Sequence, residues 1–280
     1  MTRLPFHLLA RETFHVEAGG VRLRAQRLVP PGASEEPVLV FLHEALGSIP
    51  QWRDFPGALC EALALRGLLY ERRGFGGSDP LPAPHGGLDY LHHEARETLP
   101  LVLSACGVAR PILVGHSDGG TIALLFAAAF PSRPAAVVTE AAHVFVEEVT
   151  LAGIRKAEEA WRRADLRERL ARHHGEKVDT VFASWAGTWL KDETVEWEML
   201  DELAAVTCPA LVIQGADDEY GTPAQVEAIV SRLSGPAEAL LIPGCGHVPH
   251  RQSPAVVLGA VARFLRGHGL VRVDAAPGAQ

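Results

Sequence analysis

A serine between two glycines carries the clearest chemical signal in this chain. Residues 115–119 read Gly-His-Ser-Asp-Gly, with a short apolar run before them at 112–114 and a long apolar segment after them at 121–130. A strand, a tight turn and a helix in this order form a nucleophile elbow, which presents the serine hydroxyl at the carboxyl end of the strand. The alternative is an ordinary glycine-rich turn with a solvated serine. The flanking patterns favour the elbow and predict Ser117 as a nucleophile.

A serine hydroxyl is a weak nucleophile and needs a base within hydrogen-bond reach. The apolar run 239–242 leads into Pro-Gly-Cys-Gly-His, which makes His247 the candidate base. Between the two, the buried-strand pattern 210–214 ends in Gly-Ala-Asp-Asp, which offers a carboxylate at Asp217 or Asp218. The chain order serine, acid, histidine is that of hydrolases with a nucleophile elbow. Each candidate follows a strand, at the sheet edge where open α/β sheets place their sites.

These motifs, taken in order, resemble those of the α/β-hydrolase superfamily, in its esterase- and lipase-like branch. The matching stretches are 43–48 (His-Glu-Ala-Leu-Gly-Ser), 73–78 (Arg-Gly-Phe-Gly-Gly-Ser), the Ser117 elbow, 215–218 and 244–247. They span roughly residues 20–268. The resemblance implies an α/β fold with a mostly parallel central sheet flanked by helices, and a helical cap inserted over the site.

The resemblance also bears on the orienting acid. The family pattern places it three residues after the strand-end glycine, which here is Asp218. Asp217 is then a turn residue that faces solvent or caps the next helix. Some relatives carry the acid after the preceding strand, and Glu140 stands at that position as the alternative.

An oxyanion hole needs two backbone N–H donors directed at the developing charge. The residue after the nucleophile, Asp118, supplies one at the start of a helix. By resemblance, the second comes from Ala45 in the loop after His43. That loop usually reads His-Gly, whereas this chain has Glu44 after the histidine. A carboxylate here lies near the expected substrate pocket and would repel an anionic substrate.

The elements around these residues alternate between strand and helix. We expect a hairpin about residues 18–20, strands at 38–42, 68–71 and 135–139, and helices at 52–66 and 89–105. The alternation stops after 143 and resumes at 208, so we predict a core of 1–143 and 206–280 and a helical cap of 144–205. The cap tryptophans are candidates to line the substrate pocket, Trp185 and Trp189 among them.

The composition of the chain limits the kinds of binding partner that we expect. The chain has 280 residues, 48% hydrophobic and 21% charged, with a net charge of −8 that disfavours nucleic acid or an anionic membrane as partner. Four cysteines without a CxxC pair indicate free thiols in a reducing compartment. We therefore expect a cytoplasmic protein without a signal peptide or membrane span, either monomeric or a homodimer. No metal-ligand or dinucleotide motif is present, so we expect no metal and no organic cofactor.

Three functions fit these observations. The first is a serine hydrolase that cleaves a small carboxylic ester, thioester or lactone, a carboxylesterase of class EC 3.1.1. The second uses the same three residues for hydrolysis of a C–C bond or for a cofactor-free haloperoxidase-like reaction. The third is a ligand receptor that retains a hydrolase pocket without catalysis. Dehalogenases and epoxide hydrolases of this fold carry Asp at the elbow, so Ser117 argues against both.

Overall fold

The computed structural model describes residues 9–271, in which eight strands form one sheet. The strands are β1 (Ala10–Ala18), β2 (Val21–Val29), β3 (Ser34–Leu42), β4 (Leu65–Tyr70), β5 (Pro111–His116), β6 (Ala136–Glu140), β7 (Ala210–Gly215) and β8 (Ala237–Ile242). Their spatial order is β1-β2-β4-β3-β5-β6-β7-β8. From β4 to β8 all neighbours are parallel, so the carboxyl ends of these strands meet at one edge of the sheet.

Two antiparallel pairings complete the other side of the sheet. β1 and β2 form the predicted hairpin, closed by Gly19 and Gly20 with φ of 60° and 77°. Both values lie in the left-handed region, where glycine avoids the strain that a Cβ would cause. β2 then pairs antiparallel with β4. The mostly parallel α/β sheet predicted from the sequence is confirmed.

Ten α-helices in the described part of the chain cover the sheet or extend from it. They are α1 (Phe55–Leu63), α2 (Asp89–His93), α3 (Leu99–Ala105), α4 (Asp118–Ala129), α5 (Glu148–Arg163), α6 (Leu166–His174), α7 (Val178–Trp189), α8 (Pro223–Arg232), α9 (Pro249–Gln252) and α10 (Pro254–Gly267). Alternate residues of β3 show how the sheet divides the core. Val38, Val40 and Leu42 belong to one hydrophobic cluster with residues of α3, α4 and α8, whereas Leu39 and Phe41 belong to a second cluster with residues of α1 and α10.

The helix predicted for 52–66 is shorter in the structure, and the strand after it begins earlier. α1 ends at Leu63 because Ala64 takes a left-handed conformation with φ of 50°, and β4 starts at Leu65. Gly67 therefore lies inside a strand and does not stop the helix. A Cβ there would lie 2.6 Å from the Sγ of Cys60, so the glycine permits close packing of α1 on the sheet.

The helix predicted for 89–105 is present but is not regular. A wider π-helical turn, Glu94–Thr98, joins α2 to α3. Pro100 follows this turn, lacks an N–H and would clash with a carbonyl one turn earlier. Local widening of the helix accommodates such a residue.

A helical insertion, residues 144–205, separates β6 from β7 and contains α5, α6 and α7. Its two ends meet, since Phe145 and Glu198 form an antiparallel bridge and the N–H of Met199 donates to the carbonyl of Val144 at 2.9 Å. The division of the chain into a core and a cap at these limits stays a prediction. The outer ends of the predicted core segments, 1–8 and 272–280, lie outside the described residues.

Candidate active site

Ser117 lies at the turn between β5 and α4, in a strained backbone conformation with φ of 53° and ψ of −119°. Its N–H donates to the carbonyl of Glu140 at 2.8 Å, which ties the turn to the neighbouring strand β6. The flanking glycines are sterically required. A Cβ at Gly115 would lie 2.1 Å from the carbonyl oxygen of Gly119, and a Cβ at Gly119 would lie 1.9 Å from that of Leu42. The local sequence thus permits a turn that holds the hydroxyl above the sheet edge.

A chain of hydrogen bonds links Ser117 to a histidine and an acid. The Nε2 of His247 lies 3.1 Å from the Oγ of Ser117, and its Nδ1 lies 2.8 Å from the Oδ1 of Asp218. Because a carboxylate only accepts, Nδ1 carries the ring proton and Nε2 is free to accept the serine hydroxyl proton. The side chain of Asp218 is itself oriented by the N–H of Tyr220, which donates to Oδ1 at 2.8 Å.

The acid and the histidine shift each other's protonation. Burial lowers the pKa of His247, but the hydrogen bond to Asp218 and the charges of Asp218, Glu44 and Glu219 outweigh it, and the pKa is raised. Burial raises the pKa of Asp218, but the hydrogen bond and charge of His247 outweigh it, and the pKa is lowered. The pair therefore favours an ionised Asp218 beside a histidine with increased basicity.

The other two candidate acids do not contact His247. Asp217 is exposed on the turn. Glu140 is buried, and its Oε2 accepts hydrogen bonds from the N–H of His250 at 2.7 Å and from its Nδ1 at 3.1 Å. Glu140 thus positions the α9 segment beneath the site, whereas Asp218 alone of these three orients His247.

The N–H groups of Ala45 and Asp118 are both available to a ligand, since neither donates a hydrogen bond to an acceptor within residues 9–271. The peptide before Ala45 is held firmly. The carbonyl of Glu44 accepts from the Nδ1 of His43 at 2.7 Å, from the Nη2 of Arg72 at 2.9 Å and from the N–H of Gly47 at 3.1 Å. In a trans peptide the N–H points opposite to the C=O, so these donors direct the Ala45 N–H away from themselves.

Glu44 does not distort this loop. Its φ is negative, whereas the non-glycine residues with positive φ in the described chain are Arg53, Ala64, Ser117 and Ala141. The departure from the usual His-Gly pattern therefore changes the chemistry of the loop through the side chain and leaves the backbone in an ordinary conformation.

Arg72 and Tyr90 support the site and were not predicted from the sequence. The hydroxyl of Tyr90 donates to the Oδ2 of Asp118 at 2.6 Å, and the Nη2 of Arg72 lies 3.6 Å from the same oxygen. Burial raises the pKa of Asp118, while Arg72 and Tyr90 oppose that shift. Arg72 is the second residue after β4, and its place at the carboxyl end of a strand is the signal that could have indicated a role.

Ser117 and His247 open on a cavity of about 250 Å³ beneath the helical insertion. The three residues proposed from the sequence for the pocket, Glu44, Trp185 and Trp189, all line this cavity. A larger cavity of about 770 Å³ lies on the other side of Tyr90 and does not include Ser117. Ser117 and His247 therefore face the smaller cavity, whose ceiling comes from α5, α6 and α7.

Residues 9–271 contain no cluster of three or more His, Cys, Asp or Glu side chains that could hold a metal ion. Over the same range, every helix is too short or too polar to cross a membrane. All four cysteines are free thiols.

The fold and the site define a protein of the hydrolase class with an elbow serine. The model of the alpha/beta hydrolase family matches residues 39–260, and the chain belongs to this family. The resemblance drawn from the sequence motifs is thereby confirmed, and the family relation supports hydrolase activity.

Three known proteins illustrate the relation. Epoxide hydrolase A of Mycobacterium tuberculosis is 26% identical over an alignment of 321 residues, which covers 90% of this chain and 96% of that protein. The 2-succinyl-6-hydroxy-2,4-cyclohexadiene-1-carboxylate synthase of Escherichia coli is 27% identical over 262 residues, with 82% and 94% covered. The solved structure of 2-hydroxy-6-oxo-6-phenylhexa-2,4-dienoate hydrolase from a Rhodococcus species superposes with a TM-score of 0.79 at 14% identity, covering 92% of this chain and 99% of that one.

Proposed function

We propose that this protein is a serine hydrolase that cleaves a small carboxylic ester, thioester or lactone through an acyl-enzyme. The observation that carries the proposal is the unbroken chain from the Oγ of Ser117 through His247 to Asp218, with distances of 3.1 and 2.8 Å. Nucleophile, base and orienting acid within hydrogen-bond reach are what acyl transfer from a serine requires.

The reaction begins when the Oγ of Ser117 attacks the substrate carbonyl and its proton moves to the Nε2 of His247. The negative charge that develops on the carbonyl oxygen is stabilised by the N–H groups of Ala45 and Asp118. When the tetrahedral intermediate collapses, the imidazolium of His247 gives its proton to the leaving alcohol or thiol. Asp218 stabilises that imidazolium and keeps the ring in the required tautomer.

Water completes the cycle. It attacks the acyl group on Ser117, its proton passes to His247, and the acid product leaves as the serine regains its proton. The helical insertion acts as the cap in this scheme, because Trp185 and Trp189 limit the cavity above Ser117. We place the reaction in the cytoplasm and require neither metal nor organic cofactor for it.

Hydrolysis of a C–C bond on the same residues is the second candidate. The Escherichia coli relative, 27% identical, is named a synthase, so chains similar to this one do not all carry the name of an ester hydrolase. The similarity to Epoxide hydrolase A carries less weight for function, because the elbow of this chain holds Ser117 where epoxide hydrolases of this fold carry aspartate.

A panel of p-nitrophenyl esters, thioesters and lactones, combined with labelling by a fluorophosphonate, tests the proposal. We expect wild type to turn over short esters with saturation kinetics and to be labelled covalently. In Ser117→Ala, turnover should fall on the order of 10⁴-fold or more and labelling should be lost. The matched control is Ser231→Ala, which changes an exposed serine on α8 and should behave as wild type. Turnover of a vinylogous 1,5-diketone but of no ester would favour the C–C hydrolase, and ligand binding without labelling would favour a receptor.

A further inference from the structure

The charged side chains that line the active-site cavity in the described chain are all acidic. They are Glu44, Asp118 and Glu219, and neither lysine nor arginine joins them in the lining. Asp118 is already paired with Arg72, which lies outside the lining, so Glu44 and Glu219 carry the unpaired acidic charge. The remaining titratable groups in the lining besides Tyr220 are two histidines, His143 and the base His247. Burial, followed by the charge of His247, lowers the pKa of His143 to about 4, so it adds no positive charge near neutral pH. An anionic substrate would find no cationic partner in this space.

The carboxylate of Glu44 has no hydrogen-bond donor within residues 9–271, although 25% of its side chain is exposed. The Nδ1 of His116 lies 3.3 Å from its Oε2. The Nε2 of His116 contacts the main-chain oxygen of His247 at 2.7 Å, and because a carbonyl only accepts, Nε2 carries the ring proton. In the neutral ring, Nδ1 therefore turns a lone pair toward Glu44. Because no group of the described chain donates to this carboxylate, a hydrogen-bond donor on a bound ligand would stabilise it.

Aromatic rings line the same cavity as this carboxylate. The ring of Tyr220 lies 4.7 Å from that of His247, and Trp185 lies 6.3 Å from Tyr220. On the other side, the ring of Trp189 lies 5.6 Å from His143. Faces of tryptophan and tyrosine attract ammonium groups, and the attraction strengthens when water is excluded.

We propose that the substrate of this site is an ester whose acyl or alcohol part carries an ammonium group, held between the carboxylate of Glu44 and the faces of Trp185, Trp189 and Tyr220. This inference rests on the proposed ester hydrolysis and specifies its substrate class. The proposed substrate differs from the carboxylate compounds that the names of some relatives describe. A carboxylate on the substrate would be repelled by Glu44 and Glu219, and no cationic side chain in the cavity lining would offset that repulsion.

Three acetate esters of nearly equal shape test the inference. They are 2-(dimethylamino)ethyl acetate, whose protonated amine carries one N–H donor near neutral pH, its uncharged isostere 3-methylbutyl acetate, and the anion 3-acetoxypropanoate. We expect kcat/KM for the cation to exceed that for the neutral ester by roughly 10-fold or more, and the anion to be the poorest substrate. In Glu44→Gln the ratio of cation to neutral ester should fall toward one. Because both esters use the same His247, the ratio cancels any change in its basicity.

Glu176→Gln is the matched control, since it removes the same charge from an exposed position of the helical insertion and should keep the wild-type ratio. A wild-type ratio near one, or a preference for the anion, would overturn the inference, and so would an unchanged ratio in Glu44→Gln. Calorimetry with benzyldimethylammonium, a cation that keeps one N–H donor, gives a second readout that needs no turnover. We expect wild type to bind this cation more tightly than Glu44→Gln does, and equal affinity counts against the inference. Absence of both ester turnover and fluorophosphonate labelling would instead overturn the proposed function.

Discussion

The imidazole of His116 donates from Nε2 to the main-chain oxygen of His247 at 2.7 Å. This bond joins the elbow directly to the loop that carries the base, although the two residues lie 131 positions apart in the chain. The ring of His116 is buried and packs against His250 and Trp52, with centroids 5.1 and 6.4 Å away. His116 thus holds the main chain of His247 in place while the side chain of His247 contacts Ser117.

His116→Ala should therefore lower kcat for p-nitrophenyl acetate, because the loop carrying His247 loses its anchor to the elbow. Small misplacements of a catalytic base cost up to about 10²-fold. His116→Gln, whose amide can still donate to the His247 carbonyl, should recover a large part of the rate. Steady-state kinetics on the two variants make the comparison. Equal rates for both would show that the hydrogen bond does not position the base.

Asp218→Asn should lower kcat on the order of 10²–10⁴-fold, since the amide no longer stabilises the imidazolium or selects the correct tautomer. Asp217→Asn, the adjacent and exposed position, should stay within a few-fold of wild type. Glu140→Gln should remain active but unfold at lower temperature, because it weakens a buried contact to His250 by about 1–3 kcal/mol. Loss of activity in Glu140→Gln with survival of Asp218→Asn would assign the acid to β6.

The activity should depend on pH through His247. Only the neutral ring accepts the serine proton, and the net effect of burial, Asp218, Glu44 and Glu219 is to raise its pKa above 6.5. Accordingly, kcat/KM should increase with pH and reach half its plateau above 6.5. Glu44→Gln removes one of the negative charges that favour the imidazolium, so its midpoint should move down, whereas that of Glu176→Gln should not. A profile measured from about pH 5 to about pH 9 tests both statements, and an upward shift in Glu44→Gln would contradict the second.

Gly119→Ala should destabilise the protein, since the added methyl would lie 1.9 Å from the carbonyl oxygen of Leu42 in β3. Overpacking of this kind costs about 1–3 kcal/mol or more in free energy of unfolding. Gly259→Ala provides the comparison, because that glycine is exposed on α10 with no neighbour within 4 Å, and alanine there should stabilise by up to about 1 kcal/mol. Urea unfolding of both variants measures the difference. Equal midpoints would mean that the elbow can relax around a methyl group.

Several features of the site were readable from the sequence because each depends on a short local pattern. The strand before Ser117, the glycines beside it and the apolar helix after it lie within one segment, 111–130. Asp218 and His247 each follow an apolar run, and parallel strands bring their carboxyl ends to one edge of the sheet. The local periodicity therefore predicted the fold, and from the fold we predicted that the three residues lie at a common edge of the sheet.

Other features depend on contacts between distant segments. Arg72 supports the loop that carries Ala45 through the carbonyl of Glu44, 28 positions away, and Tyr90 reaches Asp118 over the same separation. Neither Arg72 nor Tyr90 belongs to a sequence motif that predicts which residue it contacts. The close packing of α1 on β4 likewise depends on Gly67, which leaves room for the Sγ of Cys60, and a helical pattern in the sequence does not contain that contact.

The sequence by itself determined the class of fold, the strained turn at Ser117 and the order of nucleophile, acid and base, since backbone preferences and hydrophobic periodicity act over a few residues. Only the tertiary structure decided that Asp218, rather than Asp217 or Glu140, faces His247, and that Glu44 lines one cavity with aromatic side chains while its carboxylate accepts no hydrogen bond from residues 9–271. Hydrogen bonds and cavities form between side chains that the sheet brings together from distant parts of the chain, and that pairing is a property of the packed molecule.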